Sequence, residues 1–283
     1  MRWLHHDSRF QVADWTCHAG DTAPEAVEAS DRPAISFTRR GVYRRHVGSR
    51  SLLLDPGTAA FYPPWMEYRV THPLPGGDRS LVVALSEGTL EGFGVDRLPD
   101  GHAISSRRST LLIRRVELAA RGGRRLAVEE LLIRLVGETL AAFSGDRHVR
   151  RRNGTAAAHR RAVERAKEVM ASRYGERLTL DDIARDSGYS APHLCQVFRE
   201  ETGLTLHRYL GRLRLLVALE SLEGPADLTR LAYEVGFSTP SHFSAAFRRE
   251  YGHPPSRLLG ALRAEDLARS SGDFESGRGR PGR

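Results

Sequence analysis

The amino-terminal part of the chain alternates short apolar runs with turn residues. Between residues 35 and 86, the apolar runs are separated by segments that contain glycine or proline. Runs of four to eight residues at this spacing are typical of the strands of a small antiparallel sandwich or barrel. The segments predicted to be strands are AISFTRRG, SLLLD, TAAFY, EYRVTHP and SLVVALS.

The pattern then changes to a helical period. Residues 109–120 and 125–143 are predicted to be helices, and the second has a broad apolar stripe. A stripe of this width serves either as a domain core or as a dimer seam, and the pattern leaves both open. The stripe consists of Leu131, Leu132, Leu135, Val136, Thr139, Leu140 and Phe143.

Helical patterns also fill the carboxyl-terminal region. Thr179 and Asp182 have the spacing of a capping box, which predicts that a helix begins there. Thr205 is expected to cap a long helix that ends near Leu222, where Gly224 and Pro225 follow.

Within this region one sequence unit occurs twice. SGYSAPHLCQVFREETG (residues 187–203) and VGFSTPSHFSAAFRREYG (residues 235–252) align at an offset of 48 and, after one extra residue, of 49. Ser190 and Ser238 are the predicted N-caps, and a proline is tolerated in the first turn after each. The repeat therefore predicts one supersecondary unit built twice.

Each unit has the pattern of a helix-turn-helix. Gly188 and Gly236 can adopt the left-handed backbone that ends one helix and directs the next. In the second helix of each unit, the apolar residues recur at i, i+3 and i+4 and should face inward. The inward residues are Leu194, Val197 and Phe198 in the first copy, and Phe243, Ala246 and Phe247 in the second.

The outward faces carry side chains suited to DNA. Glutamine can bind adenine through two hydrogen bonds, arginine can reach guanine or phosphate, and small residues permit close approach to thymine methyl groups. The linking helix would hold the two faces about one turn of DNA apart, roughly 34–36 Å. The outward residues are Pro192, Cys195, Gln196 and Arg199, and then Ser241, His242, Ser244, Ala245 and Arg248.

These motifs make residues 158–260 resemble the DNA-binding domain of the AraC/XylS family of bacterial transcription regulators. The resemblance rests on IARDSGYSAPHLCQVFREETGLTLHRYL, RLRLLVALESL and LAYEVGFSTPSHFSAAFRREYGHPPSRLL. It implies double-stranded DNA and RNA polymerase as partners, and activation rather than repression. Cys195, Ser244 and Ala245 are smaller than is usual in the family, which implies that the second recognition helix contributes more to backbone anchoring.

The resemblance also interprets the amino-terminal half. Family members often have a small cupin-like barrel followed by helices that dimerise and bind an effector. The expected fold is therefore α+β, with an amino-terminal cupin-like β-barrel with helices and a carboxyl-terminal all-α domain with two helix-turn-helix motifs joined by a long helix. The expected divisions are an effector-binding and dimerisation domain (1–143), a linker (144–157), the DNA-binding domain (158–262) and a disordered tail (263–283).

Two sets of site residues follow. The DNA-binding set adds Ser190, Ser238 and His193 to the outward faces, because the two serines stand at helix N-termini and His193 recurs as His242. The histidines fit packing, phosphate contact or base readout. Phe37, Tyr62, Trp65 and Tyr68 either line a small-molecule effector pocket or belong to the domain core, and the sequence leaves both open.

Length, charge and composition further constrain the number of domains, the mode of DNA binding and the cellular location. The length of 283 residues suggests two domains, and the formal net charge is +8. Residues 158–262 contain 15 basic and 13 acidic side chains, so DNA binding must depend on placed residues rather than on bulk charge. The RHVRRR run either touches phosphates or solvates the linker. No apolar run spans a membrane, no signal peptide is evident, and two cysteines form no disulfide framework, which together indicate a soluble cytoplasmic protein without membrane contact. The family resemblance implies a homodimer.

Other chemistry has weaker support in the sequence. His46, His72 and His102 lack the His-x-His spacing of a metal cupin, so no metal and no cofactor is expected. Cys195 is either a small residue that fits the DNA surface or a redox switch.

Three functions remain: an effector-responsive transcription regulator, which the sequence favours, an enzyme fused to a DNA-binding module, and an architectural DNA binder without a ligand. The enzyme would need catalytic motifs, and no Gly-x-Ser-x-Gly elbow or phosphate-binding loop occurs.

Overall fold

The computed structural model describes residues 1–18, 27–143, 154–222 and 227–263. The RHVRRR run, most of the predicted linker, Gly224, Pro225 and nearly all of the predicted tail lie outside these ranges. The described chain has an amino-terminal part with two sheets and a carboxyl-terminal part made of helices.

The strands of the amino-terminal part are antiparallel. Six form one sheet in the order β1-β2-β8-β3-β6-β9, and three form a second sheet in the order β5-β4-β7. Four of them, β1, β2, β4 and β9, lie outside the segments that the sequence predicts. The strands are β1 Arg2–His6, β2 Phe10–Cys17, β3 Ala34–Gly41, β4 Tyr43–Val47, β5 Arg50–Leu54, β6 Thr58–Tyr62, β7 Arg69–Thr71, β8 Asp78–Leu85 and β9 Gly101–Ile104.

The predicted cupin-like β-barrel is not closed, and this corrects the sequence-based expectation. The six-stranded sheet ends at β1 and β9, which do not pair with each other. Its two faces are covered differently: Ile35 and Phe37 of β3 pack against helices, whereas the neighbouring Ala34 packs toward the three-stranded sheet. Because helices cover one face, the core lies between the sheet and these helices and does not require the sheet to close into a barrel.

Two long helices provide that cover. The apolar stripe of the second helix is buried in the core against the six-stranded sheet, including Leu132, Leu135 and Val136 at 0% exposure. The stripe therefore forms domain core, and a dimer seam on this helix would have to use its other side. The helices of the amino-terminal part are α1 Glu87–Glu91, α2 Arg107–Arg121 and α3 Arg125–Ala142.

The carboxyl-terminal part contains the two predicted helix pairs around a long central helix. Its first helix begins at Gly154, inside the predicted linker of 144–157. Within the described ranges, no helix has both the length and the apolar character needed to cross a membrane. The helices are α4 Gly154–Ser172, α5 Leu180–Ser187, α6 Ala191–Thr202, α7 Leu206–Ser221, α8 Leu228–Glu234, α9 Pro240–Tyr251 and α10 Pro255–Arg263.

Candidate nucleic-acid interface

The first helix pair is fixed by local signals at both ends of α5. The hydroxyl of Thr179 accepts a hydrogen bond from the backbone N–H of Asp182 at 3.2 Å, and the Asp182 carboxylate accepts one from the backbone N–H of Thr179 at 3.0 Å. This is the predicted capping box. At the other end, Gly188 has φ 73°, a left-handed conformation that glycine adopts without strain. The turn directs the chain into α6, and Ala184 is buried between the two helices.

The two sides of α6 differ sharply in exposure. Its inner side is part of the helical core, and Phe198 is fully buried there. Its outer side contains no large apolar side chain. The inner residues are Leu194, Val197 and Phe198, and the outer ones are exposed Pro192, His193, Gln196 and Arg199 with half-buried Cys195.

Gln196 is held in place on the outer side of α6. Its Nε2 donates a hydrogen bond to Oε1 of Glu200, one turn later, at 2.9 Å. Base readout by Gln196 therefore requires that this bond be exchanged for one to DNA. The negative charge of Glu200 also opposes the approach of a phosphate group.

The ring of His193 packs against other rings. Its centroid lies 4.8 Å from that of Tyr189 and 5.8 Å from that of His159 on α4, in edge-to-face arrangements. Such pairs contribute about 0.5–1.5 kcal/mol. These contacts favour the packing role that the sequence left open for His193.

In the second helix pair, α8 and α9, the N-cap of α9 lies one residue later than predicted. Thr239, not Ser238, is the N-cap of α9, and its hydroxyl accepts a hydrogen bond from the backbone N–H of His242 at 3.1 Å. The shift arises because Pro240 is the first residue of α9, whereas Pro192 is the second residue of α6. Ser190 is the N-cap of α6, but its side chain makes no capping hydrogen bond.

The outer side of α9 is also polar and exposed. The ring of His242 lies 5.4 Å from that of Phe237, which anchors the start of the helix. Phe243 and Phe247 are fully buried on the inner side with Ala246. The outer residues are exposed Ser241, His242, Ala245 and Arg248 with half-buried Ser244.

The linking helix α7 connects the two pairs. Thr205 caps it as predicted, accepting a hydrogen bond from the backbone N–H of Arg208 at 3.2 Å. Its 16 residues correspond to about 24 Å at 1.5 Å per residue. Because most of its side chains are buried, α7 is a rigid part of the core rather than a tether.

Helix α7 also contacts the amino-terminal part through a buried carboxylate. Oδ2 of Asp55, between β5 and β6, accepts a hydrogen bond from the Tyr209 phenol at 2.7 Å and lies 2.9 Å from Nζ of Lys167. Burial would raise the pKa of Asp55, but the Lys167 charge and hydrogen bonds from Thr58 and Tyr209 outweigh it and lower the pKa. Lys167 on α4 is the single lysine among the 43 basic residues of the chain.

A buried charge cluster makes a second contact. The guanidinium of Arg39 on β3 pairs with Glu117 of α2, lies 3.2 Å from Asp14 Oδ1, and its Nε lies 3.4 Å from Glu220 Oε2 of α7. Arg114 of α2 donates a hydrogen bond to the Leu222 backbone oxygen at 2.6 Å. Sequence patterns did not identify these groups, because the sequence does not show whether a charged side chain is buried with partners or exposed to solvent.

The predicted effector residues lie in three environments. The rings of Tyr62 and Tyr68 are 4.8 Å apart, and the Tyr62 hydroxyl is 3.1 Å from that of Tyr43. Burial raises the pKa of Tyr62 well above its ordinary value, so its phenol stays protonated. Phe37 lies on the opposite face of its sheet, in the core against the helices, and Trp65 is 73% exposed. Only the two tyrosines are brought together.

The three candidate histidines of the amino-terminal part also lie apart. His46 Nε2 is 2.9 Å from the hydroxyl of Thr71, and His72 Nε2 is 2.9 Å from Asp78 Oδ1. His102 is exposed on β9. Among the described residues, they do not join in one group of potential metal ligands.

Comparison with known proteins adds family evidence for the helical part. Residues 183–261 match a family model described as a helix-turn-helix domain. This match begins within α5 and ends within α10, so it includes both helix pairs.

Two curated proteins are similar in sequence. The Msm operon regulatory protein of Streptococcus mutans is 32% identical over 139 residues, which is 47% of this chain and 48% of that protein. The HTH-type transcriptional activator RhaS of Escherichia coli is 39% identical over 83 residues, which is 29% of this chain and 30% of that protein. This chain thus spans about half of the first relative and under a third of the second.

Solved structures are also similar. An AraC-type DNA-binding regulator from Chromobacterium violaceum is 26% identical, with a TM-score of 0.35 over 38% of this chain and 96% of that chain. ToxT from Vibrio cholerae is 14% identical, with a TM-score of 0.35 over 90% of this chain and 99% of that chain.

Proposed function

We propose that residues 183–261, which match a helix-turn-helix domain model, are a DNA-binding domain of the AraC/XylS type, and that this chain is a sequence-specific DNA-binding regulator of transcription. Helices α6 and α9 enter two successive major grooves. The regulator acts as an activator, as the name of one relative, the transcriptional activator RhaS, suggests for this domain. The proposed partner in activation is RNA polymerase.

The observation that carries this proposal is the shared design of α6 and α9. Each helix buries aromatic and aliphatic residues on one side and exposes a row of short or polar residues on the other. A recognition helix needs both properties, because the core must hold it rigidly while the exposed side approaches the base edges. The rigid α7 between them keeps their separation constant.

Roles follow from the chemistry of the exposed side chains. Gln196 reads an adenine after release from Glu200, and Arg199 and Arg248 reach guanine or phosphate oxygens. Ser190 and Ser238 precede helix N-termini, where backbone N–H groups favour an anionic phosphate. Pro192 and Cys195 on α6, and Ser241, Ser244 and Ala245 on α9, allow the backbone to come close to the groove.

The amino-terminal part serves as the regulatory domain of residues 1–143, with 158–262 as the DNA-binding domain. A small-molecule effector changes DNA affinity only if it binds the DNA-competent state more tightly than the other state. The Asp55 and Arg39 contacts support such coupling, since they join the turn between β5 and β6 to α4 and strand β3 to α7. Tyr62 and Tyr68 line the effector site.

The proposed homodimer uses the outer side of α3. Leu126 and Ile133 are seven residues apart on that helix and are 83% and 38% exposed, whereas the opposite stripe is buried. Residues two helical turns apart lie on the same side, so the pair forms a small apolar patch.

Binding to a DNA site recovered from genomic fragments tests the proposal. At near-physiological salt, Arg199→Ala and Arg248→Ala should each weaken binding by about 1–3 kcal/mol in fluorescence anisotropy. Arg97→Ala is the matched control, because Arg97 is exposed in the loop between α1 and β9. Equal affinity of all three variants and the wild type would exclude α6 and α9 as the DNA-binding helices.

A further inference from the structure

Three potential metal ligands meet at one end of the two sheets. The Sγ of Cys17, a ring nitrogen of His72 and a carboxylate oxygen of Asp78 all lie within 4.8 Å of one another. Cys17 ends β2, His72 follows β7 and Asp78 begins β8. The cysteine is half-buried, and the other two residues are buried.

The strand register explains why these side chains meet. Cys17 and Asp78 are directly paired across the antiparallel strands β2 and β8, so their side chains point to the same side. Arg79 follows Asp78 and points to the other side, where it binds Asp14 at 2.7 Å. The carboxylate is therefore turned toward the cysteine by the sheet itself.

Two glycines allow the close approach of the backbone here. A Cβ atom on Gly77 would lie 1.9 Å from the Cys17 backbone oxygen, and one on Gly41 would lie 2.1 Å from the Gly77 backbone oxygen. Both glycines have positive φ, 68° and 72°. Any other residue at either position would push β2, β3 and β8 apart at the point where the ligands converge.

Neighbouring groups hold the carboxylate and the imidazole in place. Asp78 Oδ1 is 2.9 Å from His72 Nε2, and Asp78 Oδ2 accepts a hydrogen bond from the Ser80 hydroxyl at 2.8 Å. An oriented carboxylate with a hydrogen-bonded second oxygen is the usual arrangement around a bound metal ion.

We propose that Cys17, His72 and Asp78 bind a divalent transition-metal ion of the zinc type. A thiolate, an imidazole and a carboxylate are all ligands of Zn²⁺, whereas Mg²⁺ and Ca²⁺ prefer oxygen ligands alone. Three protein ligands leave the fourth position of a tetrahedral site for water or another small ligand.

A second group of potential ligands, His5, Asp7 and Glu129, is explained by local structure instead. Oδ1 of Asp7 accepts hydrogen bonds from the backbone N–H groups of Arg9 and Phe10, and its Oδ2 lies 2.5 Å from His5 Nε2. Its carboxylate thus closes the turn between β1 and β2. The group also has no sulfur, which makes the two groups distinguishable by spectroscopy.

Titration of the full-length protein with Co²⁺ under reducing conditions tests the site. The wild type should bind one Co²⁺ with a sulfur-to-cobalt charge-transfer absorption that Zn²⁺ abolishes by competition. Cys17→Ser should lose this absorption, and Asp78→Asn should bind at least about 10-fold more weakly. Cys195→Ser is the matched control, because Cys195 is the only other cysteine and is also half-buried.

A measurement on the wild type alone avoids any folding defect of the variants. Zn²⁺ should protect Cys17 from alkylation, as mapped by mass spectrometry, while Cys195 is alkylated at the same rate with and without the ion. The proposal is overturned if Zn²⁺ leaves the alkylation of Cys17 unchanged, or if the charge-transfer absorption survives Cys17→Ser or disappears in Cys195→Ser.

Discussion

The phenol of Tyr209 donates a 2.7 Å hydrogen bond to Oδ2 of Asp55, and this bond joins the linking helix α7 to the turn between β5 and β6. Both residues are buried, and the Lys167 ammonium lies 2.9 Å from the same oxygen. Removal of one member of a buried charged group leaves the others without compensation. The contact therefore joins α4 and α7 to the amino-terminal part.

Asp55→Asn should destabilise the protein strongly. The substitution keeps the size of the side chain but removes the buried carboxylate charge and leaves the half-buried Lys167 ammonium without its partner. Losses of this kind amount to as much as about 3–5 kcal/mol. Urea unfolding followed by near-ultraviolet circular dichroism measures the change in the free energy of unfolding. Asp96→Asn, at an exposed position, is the control and should stay within about 0.5 kcal/mol of the wild type. A variant at Asp55 as stable as this control would show that the contact contributes nothing.

The stabilisation by Asp55 should depend on pH in one direction. Its pKa is lowered in the folded protein, so the stabilisation is present above the pKa of the unfolded chain, about 3.9, and is lost as the pH falls through the folded value. The stability difference between the wild type and Asp55→Asn should be constant from about pH 5 to pH 8 and should shrink below about pH 4. Loss of the difference between pH 5 and pH 7 would contradict the lowered pKa.

Gln196→Ala should reduce specificity at a single base position. Loss of a bidentate contact to adenine corresponds to about 1–3 kcal/mol on the preferred site. Affinities of both proteins for the four base variants at each position of the site identify the base involved. Equal weakening on every sequence would mean that Gln196 supports binding without reading a base.

The apolar patch on α3 should determine the oligomeric state. Ile133→Glu introduces a charge on the outer side of α3, two helical turns from Leu126, and should convert the proposed homodimer into a monomer in analytical ultracentrifugation. Val27→Glu is a suitable control, because Val27 is 50% exposed and lies away from α3 in sequence. The seam lies elsewhere if Ile133→Glu remains dimeric at the concentrations at which the wild type is dimeric.

Local signals made the helical part largely predictable. The left-handed Gly188 and the apolar spacing of Leu194, Val197 and Phe198 depend only on neighbouring residues, and the structure shows the same turn and the same buried side. The sequence predicts Ser238 as the N-cap of α9, whereas the structure has Thr239. The difference arises because the second copy has one extra residue, so that its proline stands one position earlier in the helix than the proline of the first copy.

Long-range pairing made the amino-terminal part less predictable. Strand β8 pairs with β2 and β3, both distant in sequence, and local patterns do not specify such partners or the open edges of the sheet. Likewise, the sequence gives no sign that Asp55 meets Lys167 or that Cys17 meets His72. Those contacts depend on the packing of separate elements.

The spacing of the DNA site tests the two-groove arrangement most directly. We expect genomic fragments bound by the protein to share two short sequence blocks whose centres lie one helical turn apart, about 10–10.5 base pairs. Insertion of five base pairs between the blocks should lower the affinity at least about 10-fold, because the rigid α7 cannot follow the second block to the opposite side of the duplex. An affinity that is independent of the spacing would contradict simultaneous binding by α6 and α9.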